Sequence, residues 1–189
     1  MVRELPTWAS NDREIAKHYD AQARIMIQGA VLDDFFRWLY PRNVLGALGE
    51  GLTVLDIGCG DGDITQRIAA MPNIASIVPL DISPTVIRKV EEWYNLPGVV
   101  ALAEDLPFED GSFDVALLIC TLEHLREPMR AIEEAERVGR WVVAVVPAIP
   151  DDDPDHLSIV PLGEYAKSRG GQVSTDGLEV GVVVRGKCG

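Results

Sequence analysis

The sequence has few basic residues and no cluster of them. Lys and Arg together number 17 against 30 Asp and Glu, a net charge of −13 over 189 residues. Such a surface repels phosphate backbones, which argues against an extended nucleic-acid interface and leaves only a local basic patch open. Cysteine is also scarce. Cys59, Cys120 and Cys188 are far apart, with no CxxC pair and no zinc spacing, so free thiols are the simplest reading and no metal centre is expected from them. No run reaches the ~20 apolar residues that a membrane span needs. The opening "MVRELPTWASNDRE" lacks the apolar stretch of a signal peptide, so the expected location is the cytoplasm.

What is present is the composition of a folded domain, 47% hydrophobic and 25% charged, without repeats or a low-complexity linker. Residues 11–40 read as helical, with Ser10, Asn11 or Asp12 as cap and an apolar stripe at Ile25, Val31, Leu32, Phe35, Phe36 and Leu39. Pro41 and the glycines at 46, 49 and 51 should end that region. From there strands and helices alternate. Strands are expected at 53–57, 75–81, 99–103, 113–120 and 140–147, and helices at 62–71, 83–95 and 128–138. Ser83 reads as a helix cap with Pro84 in the first turn. "FDVALLIC" and "RWVVAVVP" are apolar almost throughout, as strands covered on both faces are. Such alternation predicts an α/β fold with a parallel sheet and helices on both faces. The tail differs: a helix over 161–170, then two strands joined through Asp176-Gly177, a strong tight-turn pair.

The stretch "VLDIGCGDG" (54–62) places Gly58, Gly60 and Gly62 between the first strand and its helix, where open α/β sheets bind ligands. Glycines there let the backbone approach a ligand closely; a plain strand-to-helix turn needs fewer of them. The spacing is G-x-G-x-G, not the G-x-G-x-x-G of dinucleotide sites, and Asp61 and Asp63 flank the last glycine. Carboxylates there disfavour a pyrophosphate and favour a cation. No G-K-[ST] follows, which removes a P-loop.

The same stretch, continued as "VLDIGCGDGDIT", resembles the first motif of class I S-adenosylmethionine-dependent methyltransferases. "VPLDIS" (78–83), "AEDLPFEDGSFDVALLICTLEHLREP" (103–128) and "RWVVAVVP" are similar to that family's later segments, in order, over about residues 50–150. The resemblance implies a Rossmann-like, doubly wound, seven-stranded and mostly parallel sheet with an antiparallel C-terminal hairpin. It divides one domain, 1–189, into an N-terminal helical lid (1–50), a cofactor-binding core (51–150) and a C-terminal helix and hairpin (151–189). It also implies S-adenosyl-L-methionine as cofactor. Asp56, Gly58, Gly60 and Gly62 would cradle the methionine part, with Cys59 between them supplying small size. Asp81 would hold the ribose hydroxyls, about 20 residues after the loop, and Ile82 would pack on the adenine. In the Glu104-Asp105-Leu106 segment, Asp105 would accept from the adenine amino group. Ile119 and Cys120 would lie beside the sulfonium. Tyr19 resembles a tyrosine that reaches over the methionine end, a placement favoured by an aromatic face near a cation. Asp81 as a helix cap and Asp105 as a turn residue remain the plainer alternatives.

Methyl transfer needs alignment and exclusion of water, and a hydroxyl acceptor also needs a base. His124, in "LEHL" after the fourth strand, is the candidate base; the alternative is a histidine that fixes its loop. Glu123 reads as structural. His156, in "IPDDDPDHLSIV", is a candidate substrate contact. With Asp151, Asp152, Asp153 and Asp155 it offers metal-type ligands, but a solvated acidic loop is the favoured reading and no metal is expected. Phe35, Phe36, Trp38 and Tyr40 line either the core or an acceptor pocket, the core being the expectation. The turn "ERVGRW" is shorter than the family's usual one, and little chain follows the fifth strand. The expected function is methyl transfer to oxygen or nitrogen of a small-molecule acceptor, by a monomer or homodimer. No "DPPY"- or "NPPY"-like tetrapeptide follows the fourth strand. Two rivals stand beside it: a non-catalytic cofactor-binding partner subunit and a nicotinamide-dependent oxidoreductase.

Overall fold

The computed structural model describes residues 11–26, 35–147, 156–157, 160–175 and 179–187. Seven strands form one sheet in the order β3-β2-β1-β4-β5-β7-β6. β1 (Leu52–Ile57), β2 (Ile74–Asp81), β3 (Val99–Val100), β4 (Phe113–Ile119) and β5 (Gly139–Pro147) run parallel. β7 (Glu179–Arg185) is antiparallel to β5 and to the edge strand β6 (Gln172–Thr175). Strand order reverses between β1 and β4, and the crevice beyond their carboxyl ends is where such sheets bind ligands.

Successive strand side chains point to opposite faces, and both faces are covered. Leu55, Ile57, Ala116, Leu118, Val142 and Ala144 pack with Ala131, Ile132 and Ala135 of α5 (Pro128–Val138) and with Leu162 and Ala166 of α6 (Leu162–Ser168). Their neighbours Val54, Val115, Leu117 and Val143 pack on the other face with Leu45 of α2 (Phe35–Leu48) and Ile68 of α3 (Asp63–Ala69). This two-sided burial is why β4 and β5 are apolar almost throughout.

The N-terminal reading needs one correction. Pro41 does not end a helix; it lies inside α2, which runs through Gly46 to Leu48. Proline removes one helical hydrogen bond. Tertiary packing holds the helix across it: Leu45 is fully buried, and a side chain at Gly181 of β7 would meet the Tyr40 ring at 2.7 Å. Tyr40 therefore belongs to the core, and burial pushes its hydroxyl up to about 12. α2 covers the sheet, whereas α1 (Asp12–Met26) packs on α4 (Pro84–Tyr94) near the ligand edge. The side chains of Phe35, Phe36 and Trp38 lie outside the described residues, as do Asp176-Gly177. β3 is shorter than expected, because the chain leaves the sheet after Val100 and turns at Leu102–Asp105. Among the described residues, no helix is long and apolar enough to cross a membrane.

Candidate active site

Gly58, Gly60 and Gly62 all have positive φ, at 74°, 54° and 80°, conformations that side chains disfavour. Their surroundings differ. A Cβ on Gly58 would meet Thr121 at 2.5 Å, and one on Gly62 would meet Val90 and Tyr94 at 2.9 and 3.0 Å. Those two glycines are required by the protein's own packing. A Cβ on Gly60 would meet nothing within 4 Å, so Gly60 is where the loop presents bare backbone to open space. The Thr121 hydroxyl donates to the carbonyls of Ile57 (2.9 Å) and Ile119 (3.3 Å), tying the ends of β1 and β4 together behind Gly58.

Two buried acids support the loop. Asp56 accepts from the Thr65 hydroxyl at 2.5 Å and so links β1 to α3 beneath the glycines. At 3% exposure its carboxylate lies beneath the loop and does not face the crevice. Asp81 accepts from the backbone N–H of Ser83 at 2.9 Å through one oxygen and of Gly60 at 3.2 Å through the other. Each oxygen keeps further acceptor capacity, which suits a vicinal diol. Burial raises both carboxyls to about 6. The Thr65 hydrogen bond opposes this at Asp56, as the Ser83 and Gly60 amides do at Asp81. A cation bound nearby would recover the ionised forms.

The remaining expected residues fall around this point. The Cys59 side chain turns away into a cluster with Val86, Ile87 and Val90 of α4, where burial pushes its thiol well up, so only its backbone faces the loop. Ile82 is half-buried after β2. Leu106 is buried in the main core, so its side chain does not line the crevice; its N–H donates to Glu134 at 2.9 Å. Asp105 is exposed at the turn, and the Glu104 carbonyl accepts from Arg130 at 2.8 Å. Arg137 of α5 braces this segment by donating to the carbonyls of Leu106 (3.0 Å) and Phe108 (2.7 Å) and to Glu134. Ile119 ends β4, and Cys120 leaves it at φ 52°.

A second group converges beside β4. Tyr19 of α1 meets the His124 ring edge-on at 6.0 Å, and His124 meets His156 at 4.8 Å. The link is covalently remote but structurally direct: the N–H of Leu157 donates to the Glu123 carbonyl at 2.7 Å, which brings the His156 segment to the 3₁₀ turn Leu122–His124. Asp151, Asp152, Asp153 and Asp155 lie outside the described residues.

Sequence reading missed Asp20. It accepts from the Ser83 hydroxyl and, at 3.2 Å, from the Thr85 N–H, so it docks α1 onto the start of α4. The contact joins residues far apart in the chain, and no local pattern announces it. Thr65, Thr121, Glu134 and Arg137 were missed for the same reason.

Residues 55–141 match the family described as "Methyltransferase domain". The match takes in the glycine loop, β2, β4 and the start of β5. The chain is 40% identical over 106 residues to the probable phthiotriol/phenolphthiotriol dimycocerosates methyltransferase 2 of Mycobacterium ulcerans, covering 54% of this chain and 41% of that protein. It is 32% identical over 132 residues to a ubiquinone/menaquinone biosynthesis C-methyltransferase of Citrifermentans bemidjiense, covering 66% and 54%. It thus spans about half the length of these relatives. The fold is that of a SAM-dependent methyltransferase from Aquifex aeolicus, with a TM-score of 0.65 at 19% identity over 87% of this chain and 96% of that one. The glycine loop and the later motifs lie on this shared fold in the order read from the sequence.

Proposed function

We propose that this chain binds S-adenosyl-L-methionine and transfers its methyl group to a small-molecule acceptor. The observation that carries the reading is the juxtaposition of open backbone at Gly60 with the acceptor-only carboxylate of Asp81. The residues fit the cofactor. Bare backbone receives the methionine part, Asp81 accepts from the ribose hydroxyls, and two buried acids favour a cation. Asp105 and the half-buried Ile82 serve the adenine, on a segment braced by Arg137. Ile119 and Cys120 flank the methionine end. The bound cofactor supplies a methyl group on a cationic sulfur; the chain aligns the acceptor, excludes water and manages the acceptor's proton.

Tyr19, His124 and His156 form the acceptor end in this reading. His124 takes the hydroxyl proton in this reading, supported by its ring contacts with Tyr19 and His156. α1, docked through Asp20, serves as the lid. The acceptor atom is oxygen or nitrogen. The C-methyltransferase relative favours a second reading, methylation of a carbon made nucleophilic by an ionised neighbouring hydroxyl. The acidic composition supports a function without nucleic-acid binding, and a cytoplasmic location goes with this reading.

Calorimetry with S-adenosylhomocysteine tests the cofactor site: micromolar-class binding is expected, and absence of heat at high concentration overturns the proposal. Turnover against hydroxylated aromatic and quinol acceptors, with the product read by carbon NMR, assigns the methylated atom. Tight cofactor binding without turnover on any acceptor would favour a non-catalytic partner subunit.

A further inference from the structure

We propose that Glu123, His124 and His156 form a binding site for one divalent transition-metal ion at the acceptor end of the crevice. The three side chains come from two segments brought together by the Leu157–Glu123 backbone bond. Each offers one ligand atom, and these atoms all lie within 4.8 Å of one another. Ligands on a tetrahedral ion with bonds of about 2.1 Å stand about 3.4 Å apart. Modest side-chain rotation closes the difference. The two imidazoles are steeply inclined, at 68°, with centroids 4.8 Å apart. They therefore converge edge toward face and are not stacked flat.

Donor chemistry selects the class of ion. Two imidazole nitrogens and one carboxylate oxygen suit zinc, cobalt, nickel or iron; magnesium and calcium prefer oxygen-rich sets. Glu123 is 3% exposed and brings a hard carboxylate oxygen to the two imidazoles. Both histidines are half-buried, so an ion can reach them from solvent. Three protein ligands leave a coordination position open, the arrangement of catalytic and not of structural sites. An oxygen of the acceptor fits that position, and coordination lowers its pKa. This role rests on the methyl-transfer reading; binding of the ion does not. It also changes His124's task. The lone pair that holds a metal is the one a base would use, so proton loss shifts to the coordinated oxygen. The acceptor class is then a small molecule with an ionisable hydroxyl, as in phenols and enols.

Cobalt(II) is a suitable probe, because its ligand-field absorption reports coordination. Chelator-stripped full-length protein is titrated with cobalt, and one ion per chain is expected, displaced by zinc. His156→Ala and His124→Ala should each weaken cobalt at least tenfold, and Glu123→Gln should do so as well. Thermal melts without metal verify folding of each variant. His156→Ala, on a half-buried connecting segment, is the variant least exposed to that problem. Wild-type protein that shows no cobalt spectrum, or a spectrum unchanged in His124→Ala and His156→Ala, overturns the proposal. S-adenosylhomocysteine calorimetry on the same samples separates the two ideas. Cofactor binding without cobalt binding removes the metal site alone, and cobalt binding without cofactor binding removes the methyl-transfer reading while the metal site stands.

Discussion

The backbone N–H of Gly60 donates to Asp81 at 3.2 Å, joining the open point of the glycine loop to the end of β2. One carboxylate thus sets the loop's position and presents acceptors to whatever lies against it. Replacing Asp81 by Ala removes both tasks. S-adenosylhomocysteine affinity should fall by about 1.5–3 kcal/mol, the range for hydrogen bonds to a charged group. Asp81→Asn keeps one acceptor oxygen and should lose less. Calorimetry on the two variants checks the order, and equal affinities to wild type would place the ribose elsewhere.

Gly58 and Gly60 separate packing from ligand approach. Gly58→Ala forces a side chain into positive φ, costing ~1–2 kcal/mol, and into Thr121, costing ~1–3 kcal/mol more. Gly60→Ala bears only the backbone cost, because its Cβ meets open space. The expected pattern is a large stability loss in Gly58→Ala by urea denaturation. In Gly60→Ala it is a small stability loss with a large affinity loss.

Stability and cofactor affinity should respond to pH in opposite directions. Asp56 and Asp81 have native pKa values raised from 3.8 to about 6. Between those values the native state holds protons that the unfolded chain releases. Their stabilising contribution is therefore full below about pH 4 and is lost as pH rises through 6. Each acid contributes on the order of 3 kcal/mol, less for the pair because the Asp81 charge is part of what raises Asp56. Ligand-free protein should resist urea better at pH 5 than at pH 7.5. Cofactor affinity should fall over the same interval, as Asp81 takes up a proton. Asp56→Asn should flatten the stability slope.

Much of the fold was legible because β4 and β5 carry unbroken apolar runs and Ser83-Pro84 and the glycine loop punctuate the alternation. The loop's supports were legible too, as the acids Asp56 and Asp81 near the strand ends, which bond to Thr65 and to Gly60 and Ser83. What stayed hidden is tertiary. Pro41 signals a break that burial of Leu45 overrides. Buried Glu136 binds Tyr165 at 2.5 Å, Arg169 at 3.0 Å and Lys187 at 3.0 Å, joining α5 to α6 and to the end of β7. It looks on paper like one more helix-surface acid. His124 and His156 were each singled out, but their meeting depends on a backbone bond at Leu157 that has no sequence signature.

Asp20 offers the sharpest check on the lid. It takes hydrogen bonds from Ser83 and Thr85 at the start of α4, and its charge is among the causes that raise Asp81. Asp20→Ala should cost about 1 kcal/mol of global stability, as loss of a helix-capping group does. It should also free α1, so cofactor dissociation should accelerate more than global stability falls. With that charge gone the Asp81 carboxyl ionises more readily, so the midpoint of the affinity-versus-pH curve should move down. A stopped-flow dissociation rate and an affinity titration at several pH values read both effects. A faster dissociation with an unmoved midpoint would keep the lid and remove the electrostatic link between Asp20 and Asp81.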